Sequence, residues 1–376
     1  MSLDRTKRPK LGFGLMRLPQ KDGKIDLDTL CKMVDAYLER GFNYFDTAYV
    51  YHGGESERAV KEVLTKRYPR EAFTVATKLP AWAMNSAADR ERIFAEQLER
   101  TGLDFIDFYL LHSLEDGDNY EKHERLGSFE WGQEMKKQGK IRHFGFSFHG
   151  SPDLLRTILA RHPEVEFVQI QLNYIDWDNQ VVHSGELYQI LKEKNIPMII
   201  MEPVKGGTLA NLDDDFVEMM KETSPDRSVA SWAMRFVGGL PGIATILSGM
   251  SNEEQMEDNL NTFAEFEPLS EAEQETLQKI IRKMNDLPLI GCTSCRYCTE
   301  GCPMGISIPD IFSAVNTARR FPTDMRPQFY YNNLTSKSAR ASDCIGCGQC
   351  EGVCPQHLPI ITLLKEAAEK FDKRRW

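Results

Sequence analysis

No uninterrupted apolar run in these 376 residues approaches the ~18 that a membrane-crossing helix requires, so no membrane span is expected. Positive charge is scarce as well: 46 Lys and Arg against 56 Asp and Glu leave a net charge of −10. A nucleic-acid-binding protein needs a basic face, and this balance argues against one. The C-terminal KFDKRRW is basic, which suits the end of a helix, where cations complement the dipole. The N-terminal MSLDRTKRPK lacks the apolar segment of a secretory signal, which makes a reducing cytoplasm the expected compartment. Also missing is a G-x-G-x-x-G turn after any strand-like run, so the usual dinucleotide fingerprint of an open doubly wound sheet is absent.

What is present is ordinary in bulk. Apolar content of 41% and charged content of 27% fit a globular protein. The length suits one barrel-sized domain and a small one. The cysteines are not ordinary. Eight of the nine fall into two copies of one pattern: Cys292, Cys295, Cys298, Cys302 and Pro303, then Cys344, Cys347, Cys350, Cys354 and Pro355. Both read C-x2-C-x2-C-x3-C-P. Three thiolates at two-residue spacing can wrap one face of a cubane, while the fourth lies beyond a turn that proline stiffens. Zinc prefers two well-separated C-x2-C pairs, and disulfides need an oxidising compartment, so two [4Fe–4S] clusters are the expected cofactors. The pattern resembles the bacterial two-cluster ferredoxins, in which the fourth cysteine serves the other cluster. That resemblance implies Cys292, Cys295, Cys298 and Cys354 on one cluster, with Cys344, Cys347, Cys350 and Cys302 on the other. Cys31, within LCKMVDAYL, reads as a small buried hydrophobe.

Upstream, strand-like and helix-like segments alternate. Strand-like runs occupy 11–16, 42–48, 73–78, 105–112, 143–148, 167–173, 197–203 and 244–250, with amphipathic stretches between them. Gly41, Gly102 and Gly139 stand where helix C-caps belong. Eight strand–helix pairs over about 285 residues are the arithmetic of an α/β (β/α)8 TIM barrel, with an open doubly wound sheet as the alternative. In a barrel the chemistry sits where strands end. The second run ends in Asp46, with Tyr51 just beyond; the third ends in Lys78 and the fourth in His112. Each has a dull explanation by itself, but four on successive strand ends form a coherent set. Hydride reduction of a carbonyl needs a proton donor, which Tyr51 can be. Lys78 would lower its pKa, Asp46 would hold Lys78, and His112 would hydrogen-bond the substrate oxygen.

These residues, set in FDTA with Tyr51 and GGESE, ATK, LLH, GFS, VQ and SNEEQMEDN, resemble the aldo-keto reductases over roughly residues 8–284. The resemblance implies a small carbonyl substrate, NADPH or NADH across the barrel mouth, and Asp46, Tyr51, Lys78 and His112 as catalytic residues. It also places Ser147 and Gln169 at the nicotinamide carboxamide. Met201, Pro203 and Lys205 fall in the pyrophosphate segment, and Gly249, Met250, Gln255, Asp258 and Asn259 in the adenosine-ribose segment. Two departures stand out. His149 follows Ser147-Phe148 where the family has Asn after the serine; it either supplies the missing hydrogen bond or caps the helix begun by Ser151-Pro152. The segment 248–259 lacks the cations that NADP-preferring members place there, leaving Lys205 as the nearby positive charge and NADH fully open.

The two cysteine motifs are separated by 41 residues, Pro303 to Asp343. That insert contains a helix-like PDIFSAVNTARRF, and IITLLKEAAEKF follows the second motif. The segment resembles the α-helical ferredoxins, implying an electron-transfer module in which Ile306, Ile308, Ile345 and Ile360 shield the clusters. The expected organisation is a barrel over 1–285 and a mainly helical ferredoxin-like domain over 286–376. The expected function is NAD(P)H-dependent carbonyl oxidoreduction, with clusters that exchange electrons with a redox protein partner. The alternatives are an electron-transfer protein that uses the barrel as a docking platform, and purely structural clusters. Trp82 and Tyr49 are expected to wall the pocket.

Overall fold

The computed structural model describes residues 10–115, 118–179, 182–292, 296–322, 325–336 and 338–372. Cys295 and the basic tail 373–376 lie outside them. The chain divides into two compact units, one reaching to Asp213 and including 220–274, the other holding 214–219 and the chain from Glu275 onward.

In the first unit each of the eight strand-like runs forms a strand: β1 (Lys10–Gly14), β2 (Tyr44–Asp46), β3 (Thr74–Pro80), β4 (Ile106–Leu114), β5 (Ile141–Phe148), β6 (Phe167–Gln171), β7 (Met198–Met201) and β8 (Ile243–Ser248). All pair in parallel with their sequence neighbours, and β8 returns to β1, closing the barrel. The closed sheet of a TIM barrel, not the open doubly wound one, is therefore the architecture.

Packing explains two strand glycines. A Cβ on Gly12 of β1 would sit 2.7 Å from the side chains of Leu247 and Thr245. On Gly145 of β5 it would meet the Phe167 carbonyl oxygen at 2.3 Å, a backbone atom that cannot step aside. A cluster of Tyr44, Ala76, Phe108, Leu110, Phe167 and Ile199 is drawn from five of the strands. It fills space as layered side chains fill barrels of this kind. The helices bury their apolar faces against the other side of the sheet. Helix Leu27–Glu39 starts at Asp26, whose carboxylate accepts from Thr29 N at 3.1 Å, and buries Leu30, Met33, Val34 and Tyr37. The Tyr37 hydroxyl lies 2.6 Å from the Leu11 carbonyl and 2.9 Å from that of Tyr44, tying the helix to β1 and β2. Gly102 ends helix Ala88–Thr101 in the left-handed conformation its lack of a Cβ permits.

The second unit is mainly helical. Helix Ile308–Arg320 begins with proline in its first turn, as the sequence suggested, and Ile360–Phe371 is the second anticipated helix. A third helix, Arg326–Thr335, is not apparent from composition, because its Phe-Tyr-Tyr-Asn-Asn run is made of middling helix formers. Its Tyr331 is buried, stacks on Phe371 at 4.8 Å, and accepts from Ala341 N, so tertiary packing makes the helix. No helix among the described residues is long and apolar enough to cross a membrane.

Candidate functional site

Asp46 closes β2 and Lys78 lies near the end of β3; parallel pairing of these strands brings both to one end of the barrel. The Lys78 ammonium donates to Asp46 Oδ1 at 2.6 Å and to the Thr47 carbonyl at 2.7 Å. Both side chains are almost wholly buried, Lys78 at 1% exposure and Asp46 at 3%. Burial opposes a charged lysine, but the carboxylate of Asp46 and the phenol of Tyr51 outweigh it and raise the ammonium's pKa. Tyr51 follows β2 in a tight turn where His52, Gly53 and Gly54 take left-handed conformations. The Lys78 nitrogen lies 4.9 Å from the Tyr51 ring centre. His112, on β4, faces Tyr51 nearly edge-on, with ring centres 6.1 Å apart. The half-exposed indole of Trp82 is 5.1 Å from His112.

Two titration directions follow. Burial raises the Tyr51 phenol above its ordinary value; Lys78 lowers it, but not enough to reverse the sign. The ammonium alone would lower the phenol's pKa; desolvation of the phenol itself reverses that. His112 is held neutral, its pKa depressed well below the ordinary value by burial and then by the Lys78 charge.

Behind Lys78 is a buried brace that sequence reasoning did not isolate. Glu57, fully buried, accepts from Thr77 Oγ1 at 2.6 Å and Gln97 Nε2 at 3.0 Å, with Arg100 at 3.2 Å. Gln97 also donates to the Lys78 carbonyl at 3.0 Å and accepts from the Tyr109 hydroxyl at 2.7 Å. Tyr49 belongs to this edge and not to a pocket wall: its hydroxyl donates to Glu96 and the Arg100 guanidinium covers its ring.

Ser147 on β5 and Gln169 on β6 are register partners, both buried. Ser147 Oγ accepts from Ser113 N at 2.7 Å, which leaves its own proton available to donate. Gln169 Oε1 is buried without a partner among the described residues. A donor and an acceptor side by side fit a carboxamide. His149 does not cap the next helix; Ser151 does, accepting from Leu154 N, and the His149 ring pairs with Gln171 at 3.2 Å.

The adenosine-side residues are more dispersed in role. Met201 ends β7, and Pro203 and Lys205 follow it. Lys205 is paired with buried Asp176 at 2.6 and 2.7 Å, so it is not a free cation. Met250 is fully buried in the core, Asp258 accepts from the Ser228 hydroxyl, and Asn259 donates to Ser248 Oγ. Gln255 accepts from Ser251 N. A cation that the sequence reading passed over is Arg17: its side chain lies against Gly249, and its carbonyl accepts from Ser251.

In the second unit the described cysteines ring two small hollows. Cys302 lines one together with Cys344, Cys347 and Cys350; Cys354 lines the other with Cys292 and Cys298. Ile308 borders both. Among the described residues no three His, Cys, Asp or Glu converge tightly enough to hold a single metal ion. Thiols spread around an apolar hollow suit a cluster instead. Ile306, Ile308 and Ile360 are buried, whereas Ile345 lines the hollow of the second motif from its edge and is 64% exposed. Gly348 takes a left-handed conformation between Cys347 and Cys350, and Arg296 takes it at the matching place in the first motif. A bidentate ion pair with Asp310 at 2.9 and 3.0 Å holds that arginine there.

The Lys78–Asp46 pair yields a stability prediction. Asp46→Asn should cost the barrel about 3–5 kcal/mol in denaturant unfolding, since the buried ammonium loses its counter-charge. Asp46→Asn combined with Lys78→Met should recover much of it. A single-variant loss below about 1 kcal/mol, the range of exposed pairs, would refute the burial argument.

Comparison with known proteins places this geometry. Residues 10–282 match the Aldo/keto reductase family, and 291–359 match the 4Fe-4S dicluster domain. The chain is 26% identical over 300 residues to an uncharacterized oxidoreductase, YqkF, of Bacillus subtilis, covering 72% of this chain and 91% of that one. It is 27% identical over 289 residues to L-galactose dehydrogenase of Arabidopsis thaliana, covering 72% and 88%. Among solved structures it resembles aldo-keto reductase AKR11C1 of Bacillus halodurans in its holo form, with a TM-score of 0.58, 25% identity, and coverage of 72% and 91%. An aldo/keto reductase of Klebsiella pneumoniae, solved with NADP and acetate, shares the fold with a TM-score of 0.59 at 20% identity, covering 73% and 92%. Since the matched span takes in most of the chain, the protein is an oxidoreductase that belongs to the aldo/keto reductase family, and its sequence continues into a 4Fe-4S dicluster domain.

Proposed function

We propose that the protein is an NAD(P)H-dependent reductase of small aldehydes or ketones, with 1–285 as the catalytic barrel and 286–376 as an electron-carrying domain that serves a one-electron redox protein. The observation that carries the first part is the buried Lys78–Asp46 pair against the Tyr51 phenol, opposite a neutral His112. When bound, the nicotinamide supplies hydride to the carbonyl carbon. Tyr51 gives its phenolic proton to the oxygen that becomes the alcohol. Lys78 stabilises the phenolate left behind, and Asp46 keeps Lys78 charged and aimed. His112, neutral, donates a hydrogen bond to the same oxygen and orients it. Ser147 and Gln169 hold the carboxamide through the free hydroxyl proton and the unpartnered acceptor.

For the clusters, the cavity linings support Cys292, Cys298 and Cys354 with Cys295 on one cubane, and Cys302, Cys344, Cys347 and Cys350 on the other. Bound clusters would supply one-electron transfer. Cys347 and Ile345 are exposed beside the second cavity, where a partner would approach.

Tyr51→Phe keeps the ring and removes the proton donor, so carbonyl reduction should fall by about 10²–10⁴ while nicotinamide binding is nearly unchanged. Nitrobenzaldehyde is a suitable first probe. Because the phenol is raised and must be protonated to act, the reduction rate should hold through neutral pH and decline only above the ordinary phenol value of 10.0. No limb should appear near 6.5, since His112 is depressed well below it. Full activity in Tyr51→Phe on every accepted substrate would favour an electron-transfer role for the whole chain.

The clusters predict about eight irons per anaerobically prepared chain. Cys302→Ala should damage the cluster held by the second motif and spare the one held by its own neighbours. Site-resolved electron paramagnetic resonance of the reduced protein reads which is lost, and loss of the first-motif cluster alone would reverse the assignment.

Nucleotide choice turns on Arg17. With Lys205 engaged by Asp176, and Glu253 and Glu254 in the first turn after Asn252, the adenosine segment offers little to a 2′-phosphate. Arg17→Ala should weaken NADPH by about 10-fold, the worth of one charge-assisted contact, and leave NADH unchanged. Binding titrations decide it: a NADPH preference that survives Arg17→Ala intact would sink the assignment.

A further inference from the structure

Four buried polar atoms lie near His112 without a hydrogen-bond partner among the described residues: His112 Nδ1, Asn119 Oδ1, and both ring nitrogens of His123. Buried polar groups are seldom left so, because each unmade bond carries its full desolvation cost. The atoms belong to neighbouring elements. Asn119 and His123 sit on helix Asp118–Arg125, four residues apart and therefore on one face. That helix packs against β4 and against the Ala81–Ala83 turn that carries Trp82. Asn119 Nδ2 fixes the contact, donating to the Ser113 carbonyl at 2.6 Å and reaching that of His112 at 3.4 Å. His123 is fully buried and close enough to interact electrostatically with His112. Burial drives His123 down to about 3, so it is a neutral imidazole with one N–H donor and one acceptor.

The substrate-facing role of His112 sets a requirement. For Nε2–H to donate to a carbonyl oxygen, a neutral ring must leave Nδ1 bare as an acceptor. Nothing among the described protein groups donates to Nδ1. A buried water typically makes about 3 hydrogen bonds. One such water accepting from the His123 N–H can donate to His112 Nδ1 and to Asn119 Oδ1. Such an arrangement would satisfy three of the four atoms, and it requires the His112 proton to be on Nε2.

We propose that His123 is a positioning residue: through this buried cluster it keeps a hydrogen-bond donor at His112 Nδ1 and so fixes the tautomer whose Nε2–H meets the substrate oxygen. The inference rests on the role given to His112 above, and its test separates the two. In the full holoprotein with nitrogen-labelled histidine, the His112 resonances, assigned by their loss in His112→Gln, should show a protonated Nε2 and a bare Nδ1. His123→Leu should mix the tautomers, and His123→Gln, which retains an N–H donor, should restore the original one. Should His123→Leu fold poorly, His123→Met makes the same comparison at a more flexible side chain. Nitrobenzaldehyde turnover should fall in His123→Leu by about 10-fold to 100-fold, less than the 10²–10³ typical of deleting an oxyanion donor outright. Nicotinamide binding should be unchanged. A merely structural His123 predicts the opposite pattern, since removing two unpaired buried nitrogens leaves thermal stability equal or higher and the His112 spectrum untouched. An unaltered His112 tautomer in both His123→Leu and His123→Met overturns the proposal. A mixed tautomer with unchanged turnover supports the positioning and overturns the role assigned to His112 instead.

Discussion

The ammonium of Lys78 has no business in a barrel interior unless something neutralises it, and that constraint orders much of the site. Its protons are met by Asp46 on the neighbouring strand and by the Thr47 carbonyl, while Tyr51 lies along its remaining side. Meeting those partners depends on strand register. Tyr44 pairs with Thr74 and Asp46 with Ala76, so the acid and the amine reach the same rim. A slip of one residue would turn Lys78 to the other face of the sheet and leave Asp46 buried alone. The brace of Glu57, Thr77 and Gln97 bonds the backbone and side chains on either side of that position, so it holds the register where slippage would do most harm.

The same burial has two consequences that pull against each other. It makes the ion pair worth keeping, because in low dielectric each charge needs the other. It also makes the phenol of Tyr51 harder to ionise, and the nearby ammonium only partly compensates. A phenol held in this way is fully protonated at neutral pH but is the weaker acid for it, so its proton leaves only for a strongly basic oxygen forming beside it. His112 is biased in the complementary sense: burial and the Lys78 charge keep it neutral, so in the role proposed above it would act as a dipolar donor and add no second positive charge. The site therefore carries one paired cation, Lys78, beside two side chains held neutral, Tyr51 and His112.

What the sequence made legible was whatever repeats or sits at a forced position. Strand and helix alternate with a period that survives ordinary sequence variation, and the residues closing three successive strands share a rim for purely topological reasons. The cysteine spacing constrains its own geometry. What stayed hidden depends on partners distant in the chain. Lys205 looks like a free cation until Asp176, far upstream, is seen against it. Arg17 looks like loop until β1 and β8 bring it against Gly249. Ile345 has the apolarity of a shielding residue and lines the hollow of the second motif, but its wide exposure there was not readable from composition. Asn119 and His123 share a helical face, a signal that was readable, but nothing in the sequence says which strand end that face covers.

The second unit couples its fold to its cofactors more tightly than the barrel does. Its core is small, and Cys298 and Cys350 are part of it beside Ile308, Phe312, Leu364 and Phe371. A core of this size supplies little stability unaided, and metal ligation commonly makes up the difference. The linings cross: Cys302 follows the first motif but borders the cavity of the second, Cys354 does the reverse, and Ile308 borders both. Each hollow thus takes part of its wall from the opposite motif. The left-handed Arg296 fits that view. Where the second motif uses glycine at no steric cost, the first uses an arginine in a conformation costing roughly 1–2 kcal/mol, and recovers it through the fork with Asp310 on the first turn of helix Ile308–Arg320. That bond ties the cysteine loop to the helix that separates the two cavities, so on the ligand assignment proposed above, loading one cluster organises the wall of the other.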